Sequence, residues 1–528
     1  MKELPHLLNI TTTLAPNEQR FRTTYQMNIV WFKRDLRLEY NESFLEASRN
    51  GPMLPIYIIE QQLWLQPDLT GRHYNFLKQC LNELDQSLRA YGGKLIIKVG
   101  DAVKIFSELK EKHSFSKLYS HQETWNGWTF LRDLEVRAWA RKNNVHWIEK
   151  AQHGVIRGLS SRNDWSANWY SSMNKPASQK PTRIIFVNEH TDPIPANCEL
   201  KLDDDELYRA PRGGRKEAKK LLDSFLNSRG EKYRSEMSSP LTAIDSCSRL
   251  SPHIAFGTIS VKEIYQATTD RLQNLRHIST DLKKDWSQSL KSFSSRLRWH
   301  CHFIQKLESE PEIEFRNMNS CYNGLREDCF NRTYFEAWKS GRTGYPMIDA
   351  CMRFLTATGW LNFRMRALLI SFSSQHLWLH WREPSVHLAG LFTDYEPGIH
   401  YSQAQMQSGT TGINTIRIYN PIKQGLDQDP KGRFVRQWVP ELKDIDQEFI
   451  LTPWLSPNKP KGYPAPIVDE KTSRQAASKM LYAVKGKPEH KEIAREVYVK
   501  HGSRKGKQTT RRTPVSYTHL TLPTTPYV

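Results

Sequence analysis

The sequence predicts two domains of unlike class, an α/β doubly wound parallel sheet followed by an all-α domain. Three observations carry this. Between Asn28 and Ile148 short apolar runs alternate with helical patterns, as in a parallel sheet with helical crossovers. From Tyr233 onward helical signals dominate, and between Tyr265 and Asn331 the apolar runs have helical rather than alternating spacing. A chain of 528 residues is also long for one core and suits two.

In order, the first half offers a strand at Asn28–Phe32, a helix near Asn41–Arg49 and a strand at Leu54–Ile59. A long helix at about Arg72–Tyr91 follows, then strands at Lys94–Val99, Lys117–Ser120 and Val145–Ile148. Helices near Ala102–Lys112 and Gly127–Lys142 lie between those strands. Such sheets bind small molecules at the carboxyl ends of their strands. Neither GxGxxG nor GxxxxGK[ST] occurs, which excludes an ordinary dinucleotide or P-loop module. The division expected is a leader at 1–26, the α/β domain at 27–158, a polar connector at 159–232 with an acidic run at Asp203–Glu206, and the helical domain at 233–502. Residues 503–528 are basic and then read PVSYTHLTLPTTPYV, without helical or strand logic, as a disordered or artefactual tail. The leader lacks the order of a signal peptide.

In the helical half, Pro346 after Gly344 starts a helix whose apolar face is Met347, Ile348, Cys351, Met352 and Leu355. A second helix is predicted over Trp360–Trp381, with Leu361, Met365, Leu368, Leu369 and Phe372 buried. Arg364 and Arg366 stand two apart within it and cannot share a face. One must turn inward and find an acid, and Asp394 and Glu396 follow. That pair is either an internal salt bridge or a polar anchor beneath a cofactor. Ser246, Ser248 and Ser251 surround Arg249 before a helical pattern at Ile254–Ile264, which is either a simple cap or a phosphate seat.

Lysine and arginine number 76 against 56 acids, a net charge of +20 that favours an anionic partner, nucleic acid first. No apolar run approaches the ~20 residues of a membrane span. The seven cysteines are scattered and never spaced CxxC, which suits reduced thiols in the cytoplasm, or in a nucleus, and no structural zinc. His300, Cys301 and His302 are adjacent, so on a helix they point apart and make no metal site.

SRLSP at Ser248–Pro252, RLRWH at Arg296–His300, TGYPMIDACMR, the paired arginines, DYE, RIYNP and GRFVRQWVPEL occur in a fixed order, preceded by WFKRDLRL at Trp31–Leu38. In that order the chain resembles the DNA photolyase/cryptochrome flavoproteins from about Met27 to Gly502. The resemblance implies FAD in the helical domain, an antenna chromophore of folate or deazaflavin type in the α/β domain, and light-driven electron transfer. It assigns the cofactor to Tyr233, Cys247, Ser248, Arg249, Leu250 and Ser251, and to Arg296, Trp299, His300, Phe303 and Phe363. Arg366 pairs with Asp394 beside the flavin ring, Glu396 stands in an aspartate position, and His400 takes the slot near flavin N5 usually held by asparagine. That histidine is either a proton donor to the ring or a hydrogen-bond partner.

The same resemblance places DNA or substrate at Trp299, Arg296, Arg364, Ala367, Met406 and Arg417, with Arg296 replacing a lesion-binding glutamate. No side chain acts as a nucleophile. Trp381 and Trp338 match the middle and outer members of an electron relay whose flavin-proximal tryptophan is replaced by Ala404, leaving Trp360, Trp378 or Tyr401 as substitutes. Lys339, Arg342, Lys423, Lys431, Arg433 and Arg436 are candidates to track phosphates at the mouth. The function implied is a monomeric photolyase that repairs a pyrimidine photoproduct. The rivals are a cryptochrome-like photoreceptor with a protein partner and a nucleic-acid-binding flavoprotein without repair.

Overall fold

A computed structural model of the chain describes residues 26–177, 181, 183–275 and 280–503. The leader up to residue 25 and the tail from residue 504 lie outside the described residues.

Five strands form one parallel sheet in the order β3-β2-β1-β4-β5. They are β1 Asn28–Phe32, with the bounds expected, and β2 Met53–Ile59, β3 Ile96–Val99, β4 Lys117–His121 and β5 His146–Lys150, each with an end moved by no more than two residues. β1 is central, with Ile29 opposite Leu54 of β2 on one side and Leu118 of β4 on the other. Both β1 and β2 are buried along their whole length because helices cover both sheet faces. Asn41, Asp101 and Asn126 start the crossover helices by accepting from backbone N–H groups two or three residues into each.

The carboxyl ends of β1, β2 and β4 hold interlocked charges. Lys33 donates to Asp133 at 3.0 Å and lies 3.6 Å from Glu123. Arg132 pairs with Glu60, Glu123 and Asp133, and its guanidinium sits 4.7 Å above the Trp31 ring.

The WFKRDLRL stretch does more than end a strand, for it joins the two halves. Arg34 stacks on Trp125 at 3.5 Å and donates to the Ala255 carbonyl at 3.2 Å. Arg37 donates to the Gly257 carbonyl at 2.7 Å, and Leu36 N–H reaches the Phe256 carbonyl. Gly257 has φ +68°, and a Cβ there would run into the Arg34 carbonyl, so only glycine permits this approach.

That glycine also breaks the helix predicted at Ile254–Ile264. The chain instead forms a short helix at Ser251–Ala255 and, after Ser260 caps the next start, a second at Val261–Asn274. The predicted Trp360–Trp381 helix is likewise shorter. Gly359 ends the preceding Pro346–Thr358 helix in the left-handed region. The α-helix runs Phe363–Ser371, widens to a π turn at Phe372–His376, and stops before Trp378, whose φ is +55°. The continuous apolar stripe extends through the wider turn, so spacing alone did not reveal the end.

The connector is not merely a surface path. Its helices Trp165–Asn174 and Arg215–Ser224 place Trp165, Trp169, Met173 and Leu222 in one core with Phe293 and Leu297. Its Phe186 also bridges to Met53 at the edge of β2. The longest helix, Thr280–Ser309, packs on Pro397–Ser408. Gly398 permits that closeness, since a Cβ there would lie 2.6 Å from the Ile304 Cα. Between these helices and Phe363–Ser371 lies a large cavity. No helix among the described residues is long and apolar enough to cross a membrane.

Candidate functional site

The cavity has a volume of about 1190 Å³, beyond the upper end of the range for ordinary small-molecule sites. The Thr280–Ser309 helix contributes Arg296, Trp299, His300 and Phe303, which recur every third or fourth residue and so share one face. Tyr233, Cys247, Ser248, Arg249 and Ser251 form a second wall, and Phe363, Arg364, Arg366 and Ala367 a third. Asp394, Glu396 and His400 also line it, as does the solvent-exposed Arg417.

Two residues assigned by position are elsewhere. Leu250 is buried in the core behind its wall, with Tyr233 and Ile259. Met406 is not among the lining residues, because His400, Gln403, Ala404 and Gln407 define the face of their helix that meets the cavity. Ser246 is also turned away, with its hydroxyl donating back to the Thr242 carbonyl. Conversely, sequence reading passed over Asn362, Tyr395, Gln403 and Gln407, all of which line the cavity. The i, i+3, i+7 spacing from His400 was the signal that could have found the two glutamines.

Arg366 is the arginine that turns inward. Its two terminal nitrogens donate to both Asp394 oxygens at 3.0 and 2.8 Å, and its Nε donates to the Leu361 carbonyl at 2.7 Å. Burial alone would raise the Asp394 carboxyl, but the charge of Arg366 and its hydrogen bonds outweigh this and hold it below the usual range. Glu396 behaves oppositely. Burial pushes its carboxyl up to about 8, with the charge of Arg34 opposing only in part. Burial likewise lowers His300 to about 3 and Arg249 to about 10. Arg249 lies 3.9 Å from the Trp360 ring centre and holds a left-handed φ of +62°, a strained backbone at the cavity wall.

His400 is neutral, since burial lowers it to about 4, and its Nε2 lies 2.7 Å from the Ser385 carbonyl. A carbonyl only accepts, so the imidazole proton sits on Nε2 and Nδ1 remains an acceptor. Of the two roles expected, hydrogen bonding fits this geometry and proton donation does not.

The cavity suits the flavin dinucleotide that the resemblance implies. Buried polar atoms without a protein partner border it: Arg364 Nε, Glu396 Oε1, Asn362 Oδ1 and both amide atoms of Gln403. Buried polar groups are ordinarily satisfied, so such a group of orphans is chemistry that a ligand completes. Arg249 makes no ion pair among the described residues and could meet a pyrophosphate, while Trp299 and Phe303, stacked at 5.7 Å, offer flat surfaces to aromatic rings.

The relay candidates are dispersed. Trp360 lines the cavity. Trp381 is fully buried, donates to Asn317 at 2.7 Å and has its ring centre 6.2 Å from that of Tyr401. Trp338 is fully buried against Phe335 and His387 and makes no ring contact with Trp381 among the described residues. Trp378 lies beneath the Arg326 guanidinium at 4.3 Å. Of the basic residues expected at the mouth, none lines the cavity. Lys423 pairs with Asp427, Lys339 approaches Glu336, and Arg436 ties the Lys431 and Ile445 carbonyls.

Two family models match the chain and together span more than half of it: one described as DNA photolyase over residues 28–180, and one as the FAD binding domain of DNA photolyase over residues 293–483. The chain is 27% identical over 460 residues to the deoxyribodipyrimidine photo-lyase of Streptomyces griseus, covering 84% of this chain and 96% of that protein. It is 28% identical over 494 residues to Cryptochrome-2 of Arabidopsis thaliana, covering 86% and 78% respectively. Among solved structures, a bacterial class III photolyase from Agrobacterium tumefaciens superimposes with a TM-score of 0.75 at 26% identity, covering 89% of this chain and 100% of that one. An archaeal photolyase from Sulfolobus tokodaii, solved with two FAD molecules, gives 0.72 at 27% identity over 87% of this chain and 100% of its own.

Proposed function

Because the chain belongs to the DNA photolyase/cryptochrome family and its helical half is an FAD-binding domain, we propose that it is a blue-light-driven DNA lyase that reopens a pyrimidine photoproduct. The observation that carries the reading is that the half-buried Trp299 lines the cavity together with Arg296, Arg364 and the exposed Arg417. An aromatic face framed by cations is what a damaged base pair flipped out of a duplex requires, since its rings must stack while its phosphates stay outside. Stacking on such a ring is worth ~1–3 kcal/mol per base.

Bound reduced FAD supplies light-driven electron donation, and no side-chain nucleophile takes part. The work of the protein is to bind and orient. Arg366, clasped to Asp394, fixes positive charge beside the ring site and lowers the cost of burying a negative one there. Neutral His400 offers Nδ1 as an acceptor, and protonated Glu396 offers a donor at neutral pH. Trp299 stacks on the lesion while Arg364 and Arg417 hold flanking phosphates.

A photoreceptor reading is favoured by one observation. Arg296 stands where photolyases carry an acid, and its guanidinium lies against Met237 Sδ at 3.8 Å, so at that position the wall presents donors only. The deciding experiment illuminates chemically reduced protein with DNA carrying cyclobutane or (6–4) lesions and counts restored bases, with dark and oxidised controls. Light-dependent restoration is expected, and none with either lesion would overturn the lyase reading. Arg296→Glu returns an acceptor to the wall and is expected to raise cyclobutane repair.

A further inference from the structure

Tyr395 lines the cavity, yet its hydroxyl leaves it, donating at 2.7 Å to Oδ2 of Asp68 from the other domain. Asp68 is buried and meets the Asn126 amide at 3.3 Å. No cation forms an ion pair with it among the described residues. Behind Tyr395 the Tyr401 ring centre lies 6.2 Å away, and that of Trp381 a further 6.2 Å from Tyr401. The Trp381 indole reaches the half-exposed Asn317, and half-exposed His380 lies beside it at 5.4 Å. Ala404, on the cavity face of the same helix as Tyr401, offers no ring of its own.

A phenol resists giving up an electron unless its proton can leave at the same moment, and a hydrogen-bonded carboxylate is the group that takes it. We propose that Tyr395, with Asp68 as its proton acceptor, is the entry point through which electrons reach oxidised FAD in this cavity, fed through Tyr401 from Trp381. The proposal rests on FAD occupying the site. Under light, Tyr395 gives one electron to the excited oxidised flavin, its O–H bond breaks, and the proton forms a new O–H bond on Asp68, leaving a neutral tyrosyl radical. An electron from Trp381, crossing the Tyr401 ring, restores Tyr395, which takes its proton back from Asp68. A soluble thiol reductant then restores Trp381 from the Asn317 side. Burial raises the Asp68 carboxyl above its ordinary range, which makes it a stronger base while it stays ionised.

The test uses the FAD-loaded protein with a thiol, following light-driven bleaching of bound oxidised FAD, and electron paramagnetic resonance on samples frozen under illumination. Flavin absorbance per protein confirms loading in every variant. Tyr395→Phe keeps the ring but not the exchangeable proton and is expected to slow bleaching about tenfold or more and to abolish the tyrosyl signal. Asp68→Asn, which keeps the shape, is expected to slow bleaching and to remove the rate difference between H2O and D2O. Wild-type bleaching rate and radical signal in loaded Tyr395→Phe would overturn the proposal. Repair by chemically reduced wild-type protein needs none of these rings, so its absence while bleaching proceeds with the expected variant pattern would sink the lyase reading alone.

Discussion

The two ends of this molecule that gather buried charge do so in opposite ways. At the carboxyl ends of the sheet, Lys33 and Arg132 are met by Glu60, Glu123 and Asp133, so each charge has an ionic partner and, of these five side chains, Glu60 Oε1 alone is left buried without a hydrogen bond. Along the cavity of the helical half Arg366 and Asp394 are matched, while Arg364, Glu396 and Gln403 keep buried polar atoms without a protein partner. A closed network supports the fold, whereas an open one addresses a ligand. Buried charge therefore does not mark a site by itself. What marks it is a set of buried polar atoms that the protein leaves unanswered.

The largest effect should come from breaking the closed network. Arg132→Met leaves three buried acids without their main cation and should cost about 4 kcal/mol, read from urea unfolding, while folded protein keeps its FAD. A loss of FAD without loss of stability would erase the contrast. Arg366→Ala should show the reverse emphasis. Asp394 becomes an unpaired buried carboxylate, stability falls by about 3 kcal/mol, and the purified protein is colourless even after FAD is added. Retained yellow colour would remove the clasp from the cofactor site.

A smaller effect belongs to the joint between the regions. Gly257→Ala places a side chain in a left-handed backbone against the Arg34 carbonyl and should cost about 2 kcal/mol in a denaturant titration. A further effect is one of pH. Glu396 titrates near 8 when folded against 4.5 ordinarily, so the folded state holds a proton that the unfolded chain has lost. Stability of the FAD-free protein therefore falls as pH rises through this window, and Glu396→Gln removes the penalty. The advantage of the variant in urea midpoint should be small at pH 5 and largest near pH 8. An advantage that does not change with pH would show that Glu396 is ionised throughout.

Much of this was legible in the sequence, for reasons that particular residues make plain. The strands could be read because both sheet faces are covered, which makes β1 and β2 continuous apolar runs. The Arg366–Asp394 pair could be anticipated because arginines two apart on a helix cannot both face water. Helix ends were harder. Gly257 and Trp378 take left-handed φ values within stretches whose apolar spacing continues. Met406 was misplaced because matching a position fixes a residue in order but not the side of the helix it occupies. Tyr395 and Asp68 are 327 residues apart, and no spacing rule reaches across that interval.

The Arg34 and Arg37 guanidiniums grip main-chain oxygens of Ala255 and Gly257, atoms that every amino acid possesses. This contact between the halves is thus indifferent to most side-chain identity at its receiving end and exacting about one missing methyl. The other contacts across the same boundary, Tyr395 with Asp68 and Glu314 with the Gly127 N–H among them, do depend on particular side chains.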